Sequence, residues 1–304
     1  MNQEKVYCKP NIELVKKYIN EKNPTMYSFR LENPKLKDNE IGIVNFKKYR
    51  IDTSNFDCDR CELLMSIWCI LLENSVFVKE VIGYDGRNIK YIDKDNKEII
   101  VETDTMNSLS TELNRFIRKL IKKRFNTTWV NLYTSGTKIV DGNLVDNYYE
   151  DNLRKKTERN RDLWFLDNYK ELFDCKYMTA DEIEELNIYN KIAQIMHTIG
   201  NFIIGPMGFN FSDIKAKSKK DDRFDLFMEK VLCDKEYEDW KRWFLTAKSV
   251  VFIDDYFKVG FDNDTKETDI ICLRENNMIN IDFISKAILH RSEKIIKKLR
   301  DILN

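Results

Sequence analysis

Apolar residues recur along this chain at two spacings, one of about 3.6 residues and one of two, so helices and strands are predicted in succession. After Asn11, the side chains of Ile12, Val15, Tyr18 and Ile19 share a helical face, while Pro24 and Pro34 break continuity and leave the rest of 1–50 irregular. Asp57 is the expected cap of a second helix reaching Leu72, with Leu64, Ile67, Trp68, Leu71 and Leu72 on its buried side. Three short β-like runs come next, at 76–82, 88–92 and 98–102. The last two flank a polar turn at 93–97, so a small antiparallel sheet is expected.

Helical spacing then takes over. Leu109, Leu113, Phe116, Leu120 and Ile121 mark one side of a helix over 108–125. The stretch 134–162 is polar, with Gly136 and Gly142, and reads as a loop or insertion and a weak boundary within an otherwise single domain. Thr179 and Glu182 form a capping box for a helix carrying Ile183, Leu186, Ile192 and Met196. Asp222 opens another with Phe224, Phe227, Met228, Val231 and Leu232 inward, and Trp240, Trp243, Phe244, Ala247 and Val251 repeat the pattern. A last helix from Asp282 buries Ile284, Ile288, Ile295, Leu299 and Ile302. The expected fold is α+β and helix-dominated, its small antiparallel sheet packed on a helical C-terminal half.

Composition narrows the function classes. The 304 residues are 42% hydrophobic and 12% aromatic, enough to fill a core. Fifty-one basic residues balance fifty-one acidic ones, which excludes a globally basic nucleic-acid binder and leaves a locally basic face open. Residues 1–10 form no charged-then-apolar leader, and the apolar run 67–72 is far below the ~18 residues of a membrane helix. Seven scattered cysteines, an odd number, fit reduced thiols in a cytoplasm. The abundance of Asn, Ile and Lys suggests an AT-rich bacterial or phage source, and a role in phage–host conflict is the class-level expectation that goes with it.

Candidate chemistry is sparse. The segment 197–208 holds three of the nine glycines, Gly200, Gly205 and Gly208. Glycine serves where φ is positive or where something approaches the backbone closely. The Gly200–x4–Gly205 spacing fails as a phosphate loop, because Pro206 and Met207 stand where Lys and Ser/Thr are needed. The simpler expectation is a helix C-cap at Gly200 followed by a buried strand; the alternative is a ligand-contacting loop using Gly200, Asn201 and Gly205. His197, at a helix end, and the carboxylate-rich helix start at Asp222, Arg223 and Asp225 are the weak catalytic candidates, and helix-dipole electrostatics already accounts for each without catalysis. His290 sits among Arg291, Lys294, Lys297 and Lys298 on what reads as a solvated helix. Cys58 and Cys61 make a lone C-x-x-C without the preceding strand of a thioredoxin unit or a paired zinc knuckle. No metal and no cofactor are expected.

Basic residues cluster locally. Arg115, Arg118, Lys119, Lys122, Lys123 and Arg124 crowd the helix over 108–125, and smaller clusters lie at 154–161 and 215–223. Such clusters are either solvated faces or surfaces that track phosphates, with Trp129, Tyr133 or Trp164 available for stacking. Acidic stretches at 181–185 and 234–239 dilute the field.

The run Thr198-Ile199-Gly200, then Pro206, then Asp222-Arg223-Phe224-Asp225-Leu226 resembles a bacterial protein family, a domain of unknown function, whose members carry these elements in the same order. The resemblance extends from about Asp52 to Phe257, with 105–165 as an insertion; an Arg-Gly-Phe element of the family is replaced here by 216–220. It implies that Gly200, Asp222, Arg223 and Asp225 matter to the fold or to a site, and it implies no mechanism. The function expected is contact with nucleic acid, a nucleotide or another phosphate-bearing ligand through basic helices. An enzyme with its site between 200–208 and 222–225, and a protein-interaction module, are the alternatives.

Overall fold

The computed structural model describes residues 6–21, 61–86, 88–106, 109–127, 138–141, 143–145, 175–195, 198–208, 227–228, 231, 234–253, 274–275, 278–279 and 281–304. The chain divides into two compact units, one made of Met1–Glu32, Asp57–Ser108 and Gln194–Asn304, the other of Asn33–Phe56 and Leu109–Ala193. Among the described residues the fold is α+β and helix-dominated, with one four-stranded antiparallel sheet, as the hydrophobic pattern predicts.

The first unit is organised around its second helix. Helix α1 (Ile12–Ile19) begins where the Asn11 side chain accepts from the Leu14 amide at 3.0 Å, and it buries Val15, Tyr18 and Ile19. Helix α2 (Glu62–Glu73) is buried on every side from 63 to 72. A helix apolar all round belongs in a core. Each of its fully buried Leu or Ile side chains contributes about 1.5–3 kcal/mol. Its N-cap is Cys61, whose sulfur accepts from the Leu64 amide at 3.3 Å. The expected cap, Asp57, lies outside the described residues.

Strands β1 (Val78–Asp85), β2 (Asn88–Asp93) and β3 (Glu98–Thr105) form a meander, and β6 (Phe202–Pro206) adds to β3 after the second unit has intervened in sequence. The β2–β3 turn is pinned by Asp93, whose carboxylate accepts from the amides of Asp95 and Lys97, with Asn96 at φ 61°. Two boundaries differ from the expected ones. Val76 is exposed ahead of β1, which instead continues through Gly83 (φ +142°), where a Cβ would collide with the Cys8 carbonyl. That close approach lets Cys8 pair with Tyr84 through two backbone hydrogen bonds of 2.8 and 2.9 Å, closing part of the β1 edge. β3 runs on through Thr103, Asp104 and Thr105 because β6 pairs with them; these polar residues carry no hydrophobic signal of a strand. Thr103 Oγ1 lies 3.9 Å from Met65 Sδ, which places α2 against this side of the sheet.

The remainder of the first unit supplies helices. A 3-10 turn (Ile199–Asn201) precedes β6, and a second one (Lys235–Tyr237) leads into α5 (Glu238–Thr246) and α6 (Lys248–Val251). A two-residue hairpin (Arg274–Glu275 with Met278–Ile279, β7 and β8) precedes the final helix α7 (Ile281–Leu303). Phe227 packs at a tilt of 35° against Trp240 and meets Phe244 edge-on, with ring centroids 5.9 and 6.2 Å apart. Trp243 donates to the Tyr91 hydroxyl at 3.0 Å, tying α5 to β2. Burial pushes the Tyr91 phenol up to about 12, against the lowering effect of that hydrogen bond.

The second unit contains α3 (Leu109–Phe125), a short hairpin of β4 (Lys138–Val140) and β5 (Asn143–Val145), and most of α4 (Ala180–Ile195). The hairpin falls inside the stretch expected to be loop; Asp141 supplies its turn at φ 49°. Helix α4 starts with the predicted capping box: the Thr179 amide donates to Glu182 at 2.9 Å and the Glu182 amide to Thr179 Oγ1 at 3.4 Å.

Candidate phosphate-contact helix and the glycine-rich segment

Helix α3 is two-sided in the predicted way. Phe116, Leu120 and Ile121 are buried, at i, i+4 and i+5, whereas Arg118, Lys119, Lys122 and Lys123 are exposed and Arg124 is half-buried. Arg115 belongs to the same helix, and its side chain lies outside the described residues. Carboxylates of α4 meet several of these cations. Lys119 Nζ is 2.7 Å from Glu185, Lys123 Nζ is 2.7 Å from Glu182, and Arg124 is 3.5 Å from Glu182. Lys122 donates to the neutral side chain of Asn126 at 2.9 Å. Burial works against the charge on Glu182, but the Lys123 hydrogen bond, the Thr179 amide and the charges of Lys123 and Arg124 outweigh it and hold the carboxyl below its usual range.

The glycine-rich segment has a different character. Gly200 is not a helix C-cap: it sits in the 3-10 turn without positive φ, its amide donates to Ser292 Oγ at 2.9 Å, and its carbonyl accepts from Arg291 at 2.6 Å. A Cβ at Gly200 would collide with the Ile288 carbonyl oxygen and the Ser292 hydroxyl. Close approach of helix α7, not φ, is therefore what demands glycine here. Asn201 is fully buried; its carbonyl accepts from Met106 and its amide donates to Thr198. Gly205 is paired with Glu102 inside the sheet. All three candidate ligand contacts are thus built into the first unit's core.

Arg291 corrects the solvated reading of its helix. It is fully buried, donates to the carbonyls of Val251 (2.8 Å), Gly200 and Phe202 (2.6 Å each), and lies 5.7 Å from the centre of the Trp68 ring. A guanidinium is suited to this, since its rigid fork reaches several acceptors at once. His290, Lys297 and Lys298 are exposed as expected. Among the described residues, Arg291 holds the glycine-rich segment. His197, Asp222, Arg223 and Asp225 lie outside them.

Two further buried polar groups are not expected from the sequence. Glu102 and Asp104, 5% and 4% exposed, stand two residues apart on one face of β3. Glu102 accepts from the Gly208 amide at 3.2 Å, where the chain turns at φ +89°, and Asp104 accepts from the Thr105 amide at 2.9 Å. Their period-two spacing is a signal of a shared face, but nothing in the sequence marks a polar strand end as buried. Among the described residues, no group of three or more His, Cys, Asp or Glu side chains is placed to hold a metal ion.

The described fold and site thus define an α+β protein that carries a basic helix beside an acidic one. Compared with known proteins, the chain matches no family model, no curated protein and no solved structure. Among the described residues, no helix is long and apolar enough to cross a membrane.

Proposed function

We propose that this protein contacts nucleic acid, or another phosphate-bearing ligand, through the exposed arc of α3. The observation that carries the reading is the placement of Arg118, Lys119, Lys122 and Lys123 on that arc while Phe116, Leu120 and Ile121 occupy the opposite, buried side. Four cations within two helical turns reach successive phosphates without disturbing a core. Their carboxylate partners do not remove them from solvent: the side chains of Lys119 and Lys123 remain 61% and 55% exposed. The bacterial cytoplasm is the setting that goes with this reading, and Cys8, Cys61 and Cys69 are thiols there.

The test is fluorescence anisotropy of a labelled single strand and of the matching duplex at several salt concentrations. Neutralising two to four phosphates gives a slope of log affinity against log salt of roughly −2 to −4. Replacing Arg118 and Lys122 by Glu should abolish binding with the circular dichroism unchanged. Binding that survives those changes, or a parent protein that binds neither form, removes α3 from this role.

A further inference from the structure

We infer that Glu182 and Glu185 of α4 act as a built-in competitor for the phosphates that α3 binds, so that the second unit carries its own brake; this rests on the proposed role of α3. The two carboxylates are three residues apart on α4, and the two lysines they engage are four apart on α3. Both spacings put the partners on one face of each helix, so two parallel pairs form where phosphates would otherwise sit.

The pairs are asymmetric in a way that suits release. Glu182 is anchored: its side chain is 5% exposed, accepts from the Thr179 amide and also meets Arg124. Glu185 is 29% exposed. The lysine side chains, in contrast, stay more than half exposed on flexible stems. A lysine that swings to a phosphate leaves α4 capped and its acidic partner in place. The exposed Lys119–Glu185 pair holds its partners by no more than about a fivefold preference, so an incoming polyanion displaces it reversibly, and Lys123 on leaving its pair hands Glu182 to Arg124 and the Thr179 amide. Until it does, the engaged lysines contribute little to counterion release, and the two carboxylates repel the incoming backbone.

The experiment compares the parent with Glu185→Gln and with Glu182→Gln/Glu185→Gln in the same anisotropy assay. Glutamine at 182 retains the capping box, and Glu185→Gln alone leaves that box untouched, so folding is preserved in at least one variant. Glu184→Gln is the charge-matched control; Glu184 is exposed on α4 and meets no cation of α3 among the described residues. Each replacement at 182 or 185 is expected to tighten binding roughly two- to fivefold and to steepen the salt slope by about one. Glu184→Gln should do neither. If the folded 182 and 185 variants bind as the parent does while Arg118→Glu/Lys122→Glu abolishes binding, the competitor idea is wrong and the reading of α3 stands. Equal tightening by Glu184→Gln overturns it as well, because net charge alone would explain the effect. Absence of binding by parent and variants together overturns both.

Discussion

Helices α3 and α7 look alike as sequence, each amphipathic and rich in cations, yet the two use those cations in opposite ways. On α3 the lysines lie outside the apolar stripe and keep more than half of their side chains in water while they meet the carboxylates of α4, the part-exposed Glu185 and the buried Glu182. On α7, Arg291 lies within the stripe, three residues after Ile288 and four before Ile295, and gathers backbone carbonyls in the core. The difference teaches that a cation's register on its helix, not its abundance, decides whether it is a surface charge or a structural fastener. A buried charge survives only where several acceptors face it. The 3-10 turn at Gly200, the start of β6 and the end of α6 provide them.

The largest effect that tests this contrast is expected from Arg291→Met. It leaves the carbonyls of Gly200, Phe202 and Val251 without that donor and should cost about 3–5 kcal/mol, read as a fall in denaturant midpoint. A loss under about 1 kcal/mol would mean that Arg291 is no more than another surface cation. Arg291→Lys should rescue only part of the loss, since one ammonium cannot reproduce the fork. Next comes Gly200→Ala, which inserts a methyl into the contact with α7 and should cost about 1–3 kcal/mol. An unchanged melting temperature would show that α7 does not press on this turn.

On the α3 side the expected effects are smaller. Thr179→Ala removes half of the capping box and should cost about 1 kcal/mol. Acid titration gives a matched test. Because the Glu182 carboxyl is held below its ordinary value, its contribution to stability is fully present above about pH 4.5 and is lost as the pH falls through the lower, folded value. Glu182→Gln should flatten that acid limb, and an unaltered limb would show that the carboxylate's partners do not favour its charge. Smallest of all, Lys119→Gln should change stability by less than about 1 kcal/mol, as an exposed pair does. A loss of several kcal/mol there would erase the distinction between the two helices.

Much of the fold was legible because burial writes a period into the chain. The stripes Val15–Tyr18–Ile19, Phe116–Leu120–Ile121 and Ile284–Ile288–Ile295–Leu299 are buried where the spacing put them, whereas Ile12 and Ile302, at the helix ends, are exposed and half-buried. The 93–97 turn and the Thr179–Glu182 box formed as their local chemistry required. Less of the site was legible. The exposed arc of α3 followed from its stripe, but its ion pairs did not, because Lys119 and Glu185 are 66 residues apart and nothing local links them. Arg291 stood in the apolar register of α7 and was legible in principle. Its charge argued for solvent, and only the carbonyls brought to it from two distant segments reverse that.

By itself, then, the sequence determined, among the described residues, that α1, α2, α3, α4 and α7 are helices, that 78–105 form a meander, and which face of α3 turns inward, since backbone preference and hydrophobic period act over a few residues. Tertiary structure alone decided that β6 completes the sheet, that Gly200 is needed for the approach of α7, and that polar Glu102, Asp104 and Arg291 are interior. The physical reason is the same in each case. A buried polar group or a missing side chain is defined by the atoms that face it, and those atoms come from parts of the chain that only folding brings together.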